Sequence, residues 1–167
     1  MDKINVSSGA PEKKARRLSN LSEDHFVFYK KNINSVEGFI QGTKFPEEDA
    51  RRYIAFSLAG MDAKNLSDEA AEFGSKFIWW NDEEIEYGSV KHHNLIERAI
   101  RAKFEQNPGA MEALVSTKGK EITHELGEIE NPNTSLPKKI FCEILTRIRE
   151  EKLKEIKEDQ EGKKHGI

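Results

Sequence analysis

Residues 26–45 read FVFYKKNINSVEGFIQGTKF, and the hydrophobic period changes within them. Phe26 and Phe28 alternate with Val27 and Tyr29, a period of two that predicts a short strand turning back near Lys31-Asn32. Val36, Phe39, Ile40 and Thr43 then fall at i, i+3, i+4 and i+7, which predicts a helix over 35–45. Asn34 or Ser35 can cap it.

The flanking sequence continues in helices broken by one more hairpin. Pro46 predicts the start of the next helix, with Glu47, Glu48 and Asp49 suited to its positive end and Gly60 as its stop. A short helix is expected over Ser67–Gly74. KFIWWNDEEIEYG (76–88) reads as strand, Asn-Asp turn, strand. HHNLIERAIRAKFEQ (92–106) is a plain amphipathic helix with Leu95, Ile96, Ala99, Ile100 and Phe104 as its apolar stripe. Asn107-Pro108 ends it and opens another helix, running to about Lys118-Gly119. EITHELG is a short extended piece, and Ile140, Phe141, Ile144, Leu145 and Ile148 define a last helix. The expected fold class is α+β, mainly α-helical, in a single domain over 18–150. Residues 1–17 are expected as a flexible arm and 151–167 as a charged helical extension.

The 167 residues suit one domain, with 36% apolar and 34% charged residues and a net charge of −3. A near-neutral chain has no bulk attraction to nucleic acid or membrane. The lone Cys142 cannot form an internal disulfide, the first residues lack an apolar run, and no stretch approaches the roughly 20 apolar residues of a membrane helix. A cytoplasmic protein without membrane association is expected.

Within the helix at 35–45, Gly38 and Gly42 are four apart. Each costs a helix interior about 1 kcal/mol against alanine, so another backbone or a ligand is expected to approach that face closely. Glu37, Gln41 and Lys44 form a polar stripe beside the two glycines. A carboxylate, an amide and an ammonium at such a notch can bind a phosphorylated sugar and activate water. Alternatively, Glu37 closes a capping box with Asn34 and Lys44 is a solvated charge; spacing alone gives that reading the greater weight.

Three blocks shift the balance. LSNLSEDHFVFYKKNINSVEGFIQGTKF holds Ser19-Asn20, then Ser35, Glu37, Phe39, Gln41 and Lys44 in a Ser-x-Glu-x-Phe-x-Gln-x-x-Lys pattern. AIRAKFEQNPGAMEALVSTKGKEITHELG has a helix ending in Lys-Phe-x-x-Asn, a Leu-x-x-Thr and a histidine near a glycine, and NTSLPKKIFCEILTRIRE follows as a closing helix. Together the blocks span about 18–150 and resemble the NADAR, or YbiA-like, family. The resemblance implies cleavage of an N-glycosidic bond without metal or redox cofactor. The implied substrates are nucleotide-like: phosphorylated ribosylamino-pyrimidines, or ADP-ribose on a modified guanine base. It implies Glu37 as the catalytic carboxylate, stabilising positive charge on the sugar and activating water. Lys44 would hold a phosphate or hydroxyl, with Ser19, Asn20 and Gln41 contacting sugar or base.

The remaining candidates are less determined. Tyr87, Trp79 and Trp80 are candidates for stacking on the base, the two tryptophans pointing to opposite faces of a strand with one expected in the core. His124 is a candidate general acid or a structural histidine at a strand end. Thr134 and Ser135 are expected to cap the last helix, with Thr134 also a candidate ligand contact. Lys103 and Arg101 lie near the end of the central helix; Lys103 matches the family's Lys-Phe pair and is a candidate for phosphate or a solvated charge. Riboflavin-branch members carry Trp-Gly-Asp after the histidine; HELGEIENPNTSLP has none, which implies another substrate branch and leaves Glu125, Glu128 and Asn133 as replacements for its acid. His92-His93 and Cys142 offer weak metal spacing, since adjacent helical side chains diverge by about 100°; Cys142 is expected in the core.

Overall fold

Eight α-helices, one 3-10 turn (Ala71–Phe73) and six short strands form the regular elements of the computed structural model, which describes residues 2–125 and 129–164. In chain order they are β1 (Lys3–Asn5), α1 (Lys13–Arg17), β2 (Phe26–Phe28), β3 (Lys31–Ile33), α2 (Val36–Gly42), α3 (Ala50–Phe56), α4 (Gly60–Lys64), α5 (Ser67–Ala70), β4 (Phe77–Trp80), β5 (Glu83–Glu86), α6 (Val90–Gln106), α7 (Pro108–Val115), β6 (Glu121–Thr123) and α8 (Lys138–Lys164). The fold is α+β and mainly helical, as the periodicities predict. The strands pair in twos: β2 with β3 and β4 with β5 as antiparallel hairpins, β1 with β6 in parallel. No helix among the described residues is long and apolar enough to cross a membrane.

The first hairpin turns at Tyr29-Lys30, not at Lys31-Asn32. Ile33 is fully buried and pairs with Phe26, also fully buried, so the turn must fall midway between them. Tyr29 and Lys30 accept positive φ of 48° and 65°, the mirror-image turn that suits the strands' twist. The second hairpin turns at Asn81-Asp82, where short polar side chains tolerate the same backbone.

Ser35 caps α2, its Oγ accepting the Gly38 amide at 2.9 Å. The close approach expected at the two glycines is made by α3. A Cβ on Gly38 would lie 2.4 Å from the Ala55 carbonyl oxygen, and one on Gly42 would lie 2.3 Å from the Phe56 ring. Helix α3 begins four residues later than expected. Pro46–Asp49 form a turn, and the Asp49 carboxylate takes the Arg51 amide at 2.9 Å, so the helix starts where a side chain can receive its first N–H. It ends at Phe56, and Gly60, at φ 60°, opens α4 instead of closing α3.

The expected N-terminal arm is built into the core. Ile4 and Val6 flank Asn5 at period two, which suits a strand, and β1 lies in register with β6, Ile4 opposite Ile122. Val6, Ala15 and Leu18 are buried. The segment's charged composition hid its few apolar anchors. At the other end α8 continues to Lys164, and Arg149 pins it by donating to the Thr117 and Lys120 carbonyls at 3.0 and 2.8 Å.

The Gly38→Ala variant should be less stable than wild type by about 1–3 kcal/mol in urea denaturation, because the new methyl overlaps α3 backbone that cannot yield as a side chain would. Unchanged stability would show that α2 and α3 are not packed this closely.

Candidate functional site

Helix α2 is the floor of a cleft of about 580 Å³. Seating its glycine face on α3 turns the neighbouring stripe outward, so Glu37, Ile40, Gln41 and Lys44 all line the cleft. The loop of Ser19, Asn20 and Leu21 forms one wall, and residues 64–75 form another. Tyr87, His124, the segment 129–136 and the start of α8 close the far side.

Glu37 is not a capping residue. With Ser35 as cap, its carboxylate is free of the helix end, and Oε1 accepts from Gln41 Nε2 at 2.8 Å across one helical turn. Its amide, an unpaired donor of the first helical turn, goes to the Asn20 carbonyl at 2.8 Å. The Gln41 amide must present its N–H to the carboxylate, which leaves Gln41 Oε1 buried without a partner among the described residues. That orphaned acceptor sits in a cleft-lining side chain only 4% exposed, where it calls for a donor from a ligand or water. Burial lowers the Lys44 ammonium below the usual lysine range, and the Glu37 charge opposes the shift. Lys44 Nζ stands 5.9 Å from the centre of the Tyr87 ring.

Tyr87 is the aromatic wall expected before the long helix. Its hydroxyl donates to the Asn133 carbonyl at 2.6 Å and pairs with Ser135 Oγ at 2.9 Å, and burial raises its pKa. Behind it lies His92, fully buried, with its ring 5.2 Å from Tyr87. Its Nδ1 accepts the Gly88 amide at 3.0 Å, so the neutral ring carries its proton on Nε2, which has no partner among the described residues. Burial, with His93 and Lys44 nearby, pushes His92 down to about 4. The His92 and His93 rings are stacked with centres 5.9 Å apart instead of diverging. No group of three or more potential ligating side chains occurs among the described residues. Cys142 is half-buried against the core, and burial pushes its thiol up to about 11.

His124 lines the cleft with its ring 5.6 Å from Phe141. Burial lowers its pKa and favours the uncharged ring. Thr134 and Asn133 also line the cleft. The expected cap role of Thr134 and Ser135 is taken by Glu130, whose Oε2 accepts the Lys138 amide at 2.6 Å, while Ser135 is held by Tyr87. Glu125 pairs through its backbone with the Asn5 side chain outside the cleft, and Glu128 falls outside the described residues.

Three expected ligand contacts lie elsewhere. Trp80 is 5% exposed and stacks on Phe28 at 5.4 Å in the core. Trp79, on the opposite face, packs 6.0 Å from Phe73, and its backbone anchors to the Thr43 carbonyl. The hairpin docks on the end of α2, so neither ring reaches the cleft. Lys103 is 1% exposed beneath the cleft wall, its Nζ donating to the Arg17 and Ser19 carbonyls at 3.0 and 2.9 Å. Arg101 is engaged on the outer surface with Glu97 and Glu151. The cleft adds Lys64, Lys138 and Glu130, none marked by a motif, since isolated charges at helix ends resemble any solvated surface.

Across 93% of its length and 89% of the other, the chain has the fold of the E. coli protein YbiA, with a TM-score of 0.63 and 15% identity. The fold class defined by helices, hairpins and cleft is therefore YbiA-like. The chain belongs to the family of bacteriophage protein GP30.3, whose model matches residues 12–150. A 17.1 kDa protein of the Gp30-rIII intergenic region of Enterobacteria phage T4 is 27% identical over 135 residues, 80% of this chain and 88% of that one. The resemblance in the three blocks thus holds for the fold, while the matched family is the phage one.

His92 sets a stability limit in acid. Its folded pKa of about 4 lies below the unfolded value of 6.5, so the unfolded chain gains a proton first as pH falls. The neutral ring's contribution is fully present above about 6.5 and is lost between there and about 4, at a cost of roughly 3 kcal/mol. Denaturation midpoints from pH 7 to 4 should fall less steeply for His92→Gln than for wild type; parallel curves would contradict a buried neutral His92.

Proposed function

We propose that the cleft hydrolyses an N-glycosidic bond in a nucleotide-like or ADP-ribosylated substrate, with Glu37 as the catalytic carboxylate. The observation that carries this reading is Glu37 on the cleft floor, released from capping, with one oxygen held by Gln41 and Lys44 one turn beyond. The YbiA-like fold and the ordered sequence blocks support it.

In this reaction the bond between the anomeric carbon and the base nitrogen breaks, and its electron pair leaves with the base. Positive charge grows on the sugar, and the Glu37 oxygen not engaged by Gln41 stabilises it. Water adds to the anomeric carbon and gives its proton to Glu37, which passes it to the departed base nitrogen. Lys44 holds a phosphate or hydroxyl of the sugar, and Gln41 Oε1 accepts from a sugar hydroxyl. Tyr87 offers its face to the base. The neutral His124 serves as a hydrogen-bond partner to the ligand. Residues Ser19, Asn20 and Thr134 line the walls around it. The reaction uses no metal or redox cofactor and belongs to the cytoplasm, where a lone thiol stays reduced.

A second reading, binding of ADP-ribose or a nucleotide without turnover, draws support from Glu130. That carboxylate lines the cleft but is committed to the start of α8, which leaves Glu37 without a free acidic partner among the described residues.

Incubation with ADP-ribosylated guanosine and with a ribosylamino-pyrimidine phosphate should release free base. Glu37→Gln should lower kcat at least about 100-fold with little change in KM, whereas Lys44→Met should raise KM. Calorimetric binding of ADP-ribose with no base released over hours would favour the second reading, and full turnover by Glu37→Gln would remove Glu37 from the mechanism.

A further inference from the structure

We infer that Lys103 is a positioning residue: from beneath the cleft it holds the Ser19–Leu21 loop in place, and through that loop it sets the position of Glu37. The inference rests on the cleft being the working site, as proposed above.

Lys103 leaves α6 and ends among backbone carbonyls at the close of α1. Its Nζ donates to Arg17 O at 3.0 Å and Ser19 O at 2.9 Å, both just where a helix runs out of its own donors. Asp24 Oδ2 stands 4.0 Å away as its counter-charge. Asp24 is itself fixed by Arg17 Nη2 and Ser22 Oγ, each at 2.9 Å. One helical turn along, Asn107 Nδ2 bridges the Lys103 and His25 carbonyls at 2.8 and 2.9 Å. The loop is therefore stitched to α6 at both ends.

Its other side reaches the cleft floor. The Asn20 carbonyl takes the Glu37 amide at 2.8 Å, and the Leu21 carbonyl takes the Gly60 amide at 2.9 Å. Both are first-turn amides with no acceptor inside their own helices, so the loop acts as an external cap for α2 and α4 together. An unbroken line of contacts then runs from α6 through Lys103 and Ser19-Asn20 to the backbone amide of Glu37.

The chemistry of the site argues that this charge is there for geometry. Burying an ammonium is costly, and burial pulls Lys103 down to about 8 against the opposing pull of Asp24. A methionine would fill the same space without that cost. What a methionine cannot do is hold two carbonyls of a loop that has no sheet or helix to order it.

The test is the double variant Lys103→Met/Asp24→Asn, which removes the buried ammonium and its counter-charge together, compared with wild type by amide hydrogen exchange on the full chain. The Glu37 and Gly60 amides are expected to exchange roughly tenfold faster or more, while Ile78 and Ile85 in the second hairpin keep their wild-type rates. Affinity for ADP-ribose as probe falls with them even where the melting temperature matches wild type. Wild-type protection of both amides in the double variant overturns the inference, as does acceleration spread evenly over the molecule, which marks a purely structural lysine. Should the double variant not fold, Lys103→Gln decides in the same way: selective acceleration of the two amides supports the inference and retained protection overturns it. Exchange does not depend on catalysis, so failure to cleave any substrate counts against the N-glycosidase reading alone.

Discussion

The rest of the molecule depends on how closely α2 lies on α3. Two glycines let the Ala55 carbonyl and the Phe56 ring enter space that any side chain would fill. The two helices are then close enough for Ser35 to cap α2 with the hydroxyl that also donates to the Leu58 carbonyl at 2.8 Å. With that face sealed, Val36 and Phe39 go into the core, and Glu37, Gln41 and Lys44 are left on the cleft side. Arg52 extends the same junction: fully buried on α3, it donates to Phe45 O at 3.0 Å and Trp79 O at 2.8 Å, tying the end of α2 to the second hairpin. The arrangement spends helix propensity, about 1 kcal/mol per glycine, on the aim of a polar stripe.

Burial acts on the groups around Glu37 in one direction. It lowers Lys44, His92 and His124 and raises Tyr87, in each case favouring the neutral form. A carboxylate among groups drawn toward neutrality meets less opposing charge than it would beside fully charged neighbours. Such an environment suits a reaction whose transition state is a sugar cation, because stabilisation is needed only as that charge develops. The orphaned Gln41 Oε1 belongs to the same design, since a buried acceptor without a partner is costly until something donates to it.

Much of the candidate site is legible because Glu37, Gln41 and Lys44 share one short, regular stretch at α2. Helical spacing alone groups Glu37, Gln41 and Lys44, the family blocks add Ser19, Asn20, His124 and Thr134, and the place before the central helix adds Tyr87, all of which line the cleft. The failures share one cause. A family match at Lys103 and an aromatic pair at Trp79-Trp80 do not say what the side chains touch, because aromatic rings and lysines serve packing and carbonyl anchoring as well as ligands. Only the docking of β4 on α2, and the passage of the 17–25 loop over α6, decide which use each one has. Lys64 and Lys138 carried no signal, because each reaches the cleft from a helix whose placement is a matter of tertiary packing.

By itself the sequence determined the local structure: the helical and strand periods, the Asn81-Asp82 turn, and a glycine pair that demanded a close neighbour on α2. These depend on residues within a few positions of one another, where sterics and hydrogen bonding act without the rest of the chain. The tertiary structure decided what that neighbour was, where the first hairpin turned, and that residues 3–5 join β6 instead of trailing in solvent. It also decided where the Glu37 side chain lies. A glutamate near a helix start can cap that helix or turn away from it, and Glu37 turns to the cleft because Ser35 takes the cap and Asn20, seventeen residues earlier, takes the Glu37 amide. Those partners meet only when the chain has folded, because the free energy that brings them together comes from the shared core and not from the segment that carries the carboxylate.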